Sequence, residues 1–302
     1  MPRACPACGR PNSDQAARCL YCTEPFGAAA PDEVVAPTIP VSKRHLIILA
    51  PQQDERSSEE RAQSLAEMLG FAPYDARLAL KTMRHRLLCK VRGQREAREI
   101  SSQLERLGVE HLELAEADVE AVPVVSMRWL RFHSDHMEMQ LSEKGTEQVS
   151  YGDVLLLVRG EIARERHNER RMATPQGASQ PLTPGLRLFL FVRASSVAAE
   201  LDSEQFDWSA LGDRQSISTP MNFKRLVDEI LHRATSAELD RGFDLEPVVL
   251  SRSGAGSSMD ALLDGSKARD GVVYDNEAQF RFYARWRYLV ARARAHTGGE
   301  RN

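Results

Sequence analysis

From residue 44 onward the apolar positions alternate between strand-like and helix-like order. HLIILA (45–50) is a short continuous apolar run, the pattern of a buried strand. Ser57 and Glu60 then form a capping box ahead of Ala62, Leu65, Ala66 and Leu69, which recur at helical spacing up to Gly70. A second short helix fits Tyr74–Lys81 behind Pro73. RLLCKV (86–91) reads as a strand, and Ala97, Ile100, Leu104 and Leu107 mark a third helix that Gly108 stops. VEHLELA (109–115) closes the unit. The predicted order over residues 44–118 is β-α-α-β-α-β, a small α/β domain.

Beyond residue 118 the period changes to strands: VVSMRWLRF (124–132), HMEMQLS (136–142), EQVSYGDVLLLVRGEI (147–162) and LRLFLFVRA (186–194), with EKGT (143–146) as a hairpin turn. Residues 163–184, charged and then polar with Pro175 and Pro184, have the composition of a long exposed loop. FDWSALGDR (206–214) leads to a helix with Thr219 as N-cap and Pro220 at its first position. Phe223, Leu226, Val227 and Ile230 form its apolar face. Residues 119–240 are thus a β-rich domain with a closing helix. Residues 241–275 include the Gly/Ser-rich SRSGAGSSMDALLDGSKARD (251–270) and read as flexible. The chain ends in NEAQFRFYARWRYLVARARAH (276–296), which makes residues 276–302 a C-terminal amphipathic helix. Phe280, Tyr283, Arg287 and Val290 share one face with Trp286 beside them, and Arg281, Arg285, Arg292 and Arg294 add positive charge.

The first 43 residues have no such period. They carry CPACGRPNSDQAARCLYC (5–22) and then EPFGAAAPDEVVAPTIPVSK (24–43), whose Ala, Pro and Val content is that of a semi-extended linker. Four of the five cysteines fall in the first 22 residues. Two Cys-x-x-Cys turns, Cys5/Cys8 and Cys19/Cys22, supply the four thiolates that tetrahedral zinc requires, and four protein ligands leave no open position for chemistry. The expected cofactor is therefore one structural Zn2+. A redox Cys-x-x-Cys is the rival reading; that motif normally stands once, at a helix start in an α/β domain. Cys89, among Leu87, Leu88 and Val91, reads as a buried thiol. The spacing C-x2-C-x10-C-x2-C resembles the short zinc-ribbon modules at the N-termini of many bacterial proteins, with Thr23 where a glycine is usual. The ribbon spans 1–27 and the linker 28–43.

The order β-α-α-β-α-β, with REISSQLERLGVEHLEL-like text at Arg98–Leu114, resembles the C-terminal domain of the bacterial ribosomal stalk protein and the Clp protease adaptor. In the adaptor, polar residues after the first strand and a histidine after the second helix hold a peptide's amino terminus. The resemblance puts Asp54 and His85 in those places, although Gln-Gln-Asp-Glu (52–55) replaces the adaptor's Asn-Asp pair. Strands closed by one amphipathic helix resemble a pleckstrin-homology-like barrel. In such a domain RHNERR (166–171) would contact phosphate, though a solvated loop explains it as well.

Composition narrows the function. Charged residues make up 27% and hydrophobic ones 42%, as in ordinary globular proteins, and the net charge of −3 supplies no general attraction for nucleic acid. No apolar run approaches a bilayer span, and MPRACPACGRP has no signal-peptide core, so no integral membrane association is expected and the chain reads as cytoplasmic. Gly-x-Ser-x-Gly, His-Glu-x-x-His, Gly-x-Gly-x-x-Gly and Walker motifs are all missing from the sequence. His133 and His136, in HSDH, are two metal-type ligands on a tight turn with no third or fourth ligand evident. The expectation is an α+β, multidomain, non-enzymatic protein with a regulatory or scaffolding role through contacts with a protein partner. The alternative is nucleic-acid or ribosome binding through the ribbon and the basic residues Arg281, Arg285, Trp286 and Arg292 of the C-terminal helix.

Overall fold

The structure, a computed structural model, describes residues 3–4, 11–12, 44–52, 58–70, 72–81, 83–142, 144–167, 179–181, 184–193, 195, 198–243, 264–268 and 271–299. It divides into two compact units, Met1–Pro40 and Val41–Asn302. In the first, β1 (Arg3–Ala4) and β2 (Pro11–Asn12) pair antiparallel, Arg3 opposite Asn12 and Ala4 opposite Pro11. Residues 5–10, including Cys5 and Cys8 in sequence, lie between these strands; the four ribbon cysteines themselves fall outside the described residues.

The second unit begins with β3 (Arg44–Leu49), α1 (Ser58–Leu69), α2 (Pro73–Leu80), β4 (Arg86–Arg92), α3 (Gln94–Arg106) and β5 (His111–Ala115). This is the β-α-α-β-α-β order expected, and the sheet runs β4-β3-β5 with both pairings antiparallel. Gly70 and Gly108 end α1 and α3 at φ +67° and +63°, where a side chain would be strained. The capping residue Ser57 lies outside the described residues. β3 is buried on both faces: Ile47 and Leu49 pack with Leu65, Leu80 and Leu104 of the three helices, while Leu46 and Ile48 turn the other way.

After β5 come α4 (Glu116–Glu120), β6 (Val124–Phe132), β7 (His136–Leu141), β8 (Gly145–Ser150), β9 (Val154–Ile162), β10 (Arg164–His167), β11 (Ser179–Pro181), β12 (Gly185–Val192) and β13 (Ala198–Asp202). Then follow α5 (Thr219–Arg233), β14 (Glu238–Asp240), β15 (Asp264–Ala268), β16 (Gly271–Asp275) and α6 (Glu277–Gly299). Seven of the strands form one sheet in the order β14-β9-β12-β13-β6-β7-β8. The expected pleckstrin-homology-like barrel is not what these strands build. The sheet is open between edges β14 and β8 among the described residues, and it contains two parallel pairings, β13 with β6 and β14 with β9. The short parallel strands at β13 and β14 insert between and beside strands that sequence order would have paired, so no antiparallel meander closes.

Other boundaries differ for local reasons. The strand expected over 147–162 breaks at a 3-10 turn, Tyr151–Asp153, where Tyr151 buries its ring and donates its hydroxyl to His133 O at 2.8 Å. Ser218, not Thr219, is the N-cap of α5, and the turn before it is held by Asn222, whose side chain accepts from Ser216 N and donates to Ser216 O, each at 2.7 Å. The stretches expected as loop and flexible segment contain β10, β11, β15 and β16, which form a four-stranded sheet in the order β11-β10-β16-β15.

The core explains the layering. α5 covers one face of the large sheet through Phe223, Leu226, Val227 and Ile230, packed on Leu130, Met137, Leu157 and Leu190. The opposite face, with Val158, Phe189 and Phe191, receives α6, and the far side of α6 meets Leu46, Ile48 and Leu87 of the small sheet. The helix is therefore a central layer between two sheets. Phe280, Tyr283, Ala284 and Trp286 have no exposed surface. At about 1.5–3 kcal/mol for each large apolar side chain buried, this face ranks among the main stabilising contributions of the unit.

Candidate partner-binding groove

α4 follows β5 with no intervening loop, and its placement starts with one carboxylate. Glu116, 3% exposed, accepts from Lys90 Nζ at 2.8 Å and lies 3.7 Å from Arg44 Nη1, so the start of α4 is fixed to the neighbouring strands β3 and β4. Lys90 also sits 4.0 Å above the Phe282 ring of α6. Val119 and Val122 then enter the core shared with α6. On the α6 side, Tyr288 stacks on Phe191 (4.7 Å, 7°) and donates its hydroxyl to Ser195 O at 3.1 Å.

Between α4 and α6 lies a groove of about 490 Å³. Leu114, Val122, Tyr288 and Leu289 supply apolar lining, with Asp118 and Arg292 as the charged groups. Arg292 is exposed and places its guanidinium 5.7 Å from the Tyr288 ring. β5 is an edge strand of the small sheet. Ala50 N donates to Glu110 O, which marks that pair as hydrogen-bonded. Alternation by two then turns the amides of Leu112 and Leu114 toward β3 and those of His111, Glu113 and Ala115 outward. The groove thus combines an apolar floor, two opposite charges and an adjacent strand edge with backbone donors and acceptors to offer. That is equipment for binding an extended chain.

The candidate residues from the sequence fall in different settings. Arg292 lines the groove. Arg281 is committed to structure: it contacts Glu200 at 3.0–3.2 Å and Glu277 at 2.7 Å. Burial pushes the Glu200 carboxyl above its usual range, against the pull of Arg281. Arg285 is half-buried, and burial followed by the charge of Arg281 lowers its pKa. Trp286 is fully buried, edge-on to Tyr283 at 5.0 Å, and is not on a surface where it could stack on a base. His85 is buried rather than at an exposed helix end, beside Asp240 and Arg287, and Asp54 is outside the described residues.

Sequence reasoning missed the ion cluster around Asp240. Asp240 accepts from Tyr283 Oη at 2.9 Å, from Gly242 N at 2.6 Å and from Arg287 Nε, while Arg287 Nη2 reaches Glu238 Oε1 at 2.8 Å. The signal was Arg287 on an aromatic helix face, a charge that must be paired if that face is buried. Cys89 matches its expected burial in part: it is half-buried, and burial followed by the Glu96 charge pushes its thiol up to about 12.

Among the described residues no group of three or more His, Cys, Asp or Glu side chains stands ready-made to hold a metal ion, and no helix is long and apolar enough to cross a membrane. Comparison with family models, curated proteins and solved structures returned no match to this chain.

Proposed function

We propose that this is a non-enzymatic, cytoplasmic regulatory or scaffolding protein that works through contacts with a protein partner, with the groove between α4 and α6 as its contact site. The observation that carries this reading is the conjunction of an apolar groove, the exposed Arg292 and the outer edge of β5, which pairs with no strand among the described residues. Its lining, apolar with Asp118 and Arg292 as the charged groups, supports recognition of a chain segment.

The N-terminal segment is proposed as a zinc ribbon in which Cys5, Cys8, Cys19 and Cys22 hold one structural zinc. Support comes from the pairing of β1 with β2, since a Cys-x-x-Cys zinc loop needs the chain reversal that such a pair frames. Kinship of residues 44–118 with the stalk-protein and Clp-adaptor domains is proposed on element order and on the sheet order β4-β3-β5. The nucleic-acid alternative has fewer groups to work with, because Trp286 and Arg287 are buried and Arg281 is paired.

A photo-crosslinking amino acid placed at Arg292, with Arg95 on the exposed face of α3 as control position, tests the reading in the native cell. A discrete protein adduct from position 292 that is absent from position 95 is expected. Identical adducts from both positions, or none from 292, would remove the groove as the contact site. A salt-sensitive shift with RNA at low ionic strength would favour the alternative.

A further inference from the structure

The turn that leads into α5 displays apolar side chains to solvent on a firmly fixed backbone. Ile217 is fully exposed, the most exposed large apolar side chain among the described residues, and Met221, in the first turn of the helix, is 45% exposed. Pro220 between them is exposed as well. Looseness does not explain the display. The buried Asn222 holds both Ser216 N and Ser216 O through its side chain, and its own N donates to Ser218 O at 3.0 Å. Ser218 N donates to Ser216 Oγ at 3.2 Å. Arg225 Nη1 donates to Arg214 O, and Arg214 donates to Glu229 at 2.8 Å. Gln215 and Ser218, on either side of Ile217, are extended, with ψ of 136° and 109°. An apolar side chain held out on a pre-ordered segment loses little conformational freedom on docking, which suits it to the centre of an interface.

The same chain carries a complementary surface. The groove between α4 and α6 has an apolar floor of Leu114, Val122, Tyr288 and Leu289. The outer edge of β5 beside it turns backbone donors and acceptors outward. The charged groups of the groove are Asp118 and Arg292, and the exposed turn before Ile217 carries Asp213 and Arg214, one of each sign. Each charge on one surface therefore has an opposite on the other. Within one molecule the two surfaces cannot meet, because α5 lies on one face of the seven-stranded sheet and α6, with the groove, on the opposite face.

We propose that a second copy of this chain seats its 215–221 segment in the groove, with Ile217 and Met221 on the apolar floor and Asp213 beside Arg292. This occupancy rests on the groove being a contact site, as read above, and it names the partner. Each copy offers one protrusion and one groove on opposite faces of the sheet. The contact is therefore heterologous and adds copies head to tail, instead of closing on a two-fold pair.

Sedimentation velocity of the full chain at rising concentration tests this. The wild type should shift from one chain mass toward multiples of it. Ile217→Asp, at a side chain outside the core, should stay at one chain mass, and so should Leu289→Asp, checked for folding by far-UV CD. An equimolar mixture of the two folded variants should form a species of two chains and none larger, because it holds one intact protrusion facing one intact groove. In the purified wild-type background, the crosslinker at position 292 should give an adduct of twice the chain mass. A wild type that stays at one chain mass, an Ile217→Asp variant that assembles as the wild type does, or a mixture of folded variants without the two-chain species would each overturn the proposal. A monomeric wild type whose position 292 crosslinks to a different protein in the cell would overturn it too, while leaving the groove as a contact site.

Discussion

Arg287 brings a charge into a helix face that is otherwise aromatic, and its surroundings include the buried His85. Its partners Asp240 and Glu238 stand on β14, and the charges of this cluster act on His85, 4% exposed just before β4. Arg84, one residue away, donates to Gly242 O at 3.0 Å and links this turn to the segment after β14. Burial first, then the charges of Arg287 and Arg294, lower the His85 pKa from 6.5 to about 4, with Asp240 opposing. A histidine held neutral in the fold but free to protonate when unfolded makes the unfolded chain the better proton acceptor between those values. The stability tied to His85 is therefore fully present above about pH 6.5 and falls as the pH drops toward 4. Thermal melts of the wild type should lose Tm over this window, and His85→Gln should lose less. Parallel pH profiles for the two proteins would show that His85 does not govern the acid limb.

At the scale of elements, α6 was legible as a helix but not as a central layer. Its aromatic spacing is the same whether the face meets a protein core or a nucleic-acid base; what decides is a second apolar sheet on its far side, which comes from β3 and β4 some two hundred residues earlier in the chain. The small α/β segment was read well where an element carries its own period and a glycine stop, as α1, β4 and α3 do with Gly70, Gly93 and Gly108, whereas α4 follows β5 without a break and was missed. β13 was missed because AAELD has neither β-branched nor aromatic residues. Its strand state depends on pairing with β12 and β6 rather than on local preference. Among the groove residues, Arg292 was legible as charge, whereas Asp118 and Leu114 become its neighbours only through the crossing of α4 over α6. One residue type makes the docking of α6 possible. A Cβ on Gly160 of β9 would meet the Phe280 ring at 2.4 Å. Gly160→Val should destabilise by about 1–3 kcal/mol through overpacking, measured by urea unfolding. The cost should shrink when Phe280 is Leu, since the two side chains compete for one volume. An unchanged cost in that background would place the strain elsewhere.

At the scale of the whole chain, the two units differ in what should stabilise them. Val41–Asn302 has three apolar clusters, while the described part of Met1–Pro40 is one two-residue strand pair, in a segment with few large apolar residues. A segment of that size needs a disulfide, a metal or a partner to fold; in the proposed zinc ribbon, metal binding would supply the free energy that an apolar core otherwise provides. The cysteines report on this division directly. Four of the five lie in the first unit, whereas Cys89 lies in β4 with its thiol pushed up to about 12 and slow to react at neutral pH. All three tryptophans, Trp129, Trp208 and Trp286, lie in the second unit, so their emission senses that unit alone. Treatment with a strong chelator should make four thiols react quickly with a disulfide reagent while Cys89 stays slow. The tryptophan-monitored unfolding transition should not move. A fifth fast thiol, or a transition shifted to lower denaturant, would mean that the body depends on the metal as well. Four fast thiols before any chelator would mean that the cysteines hold none.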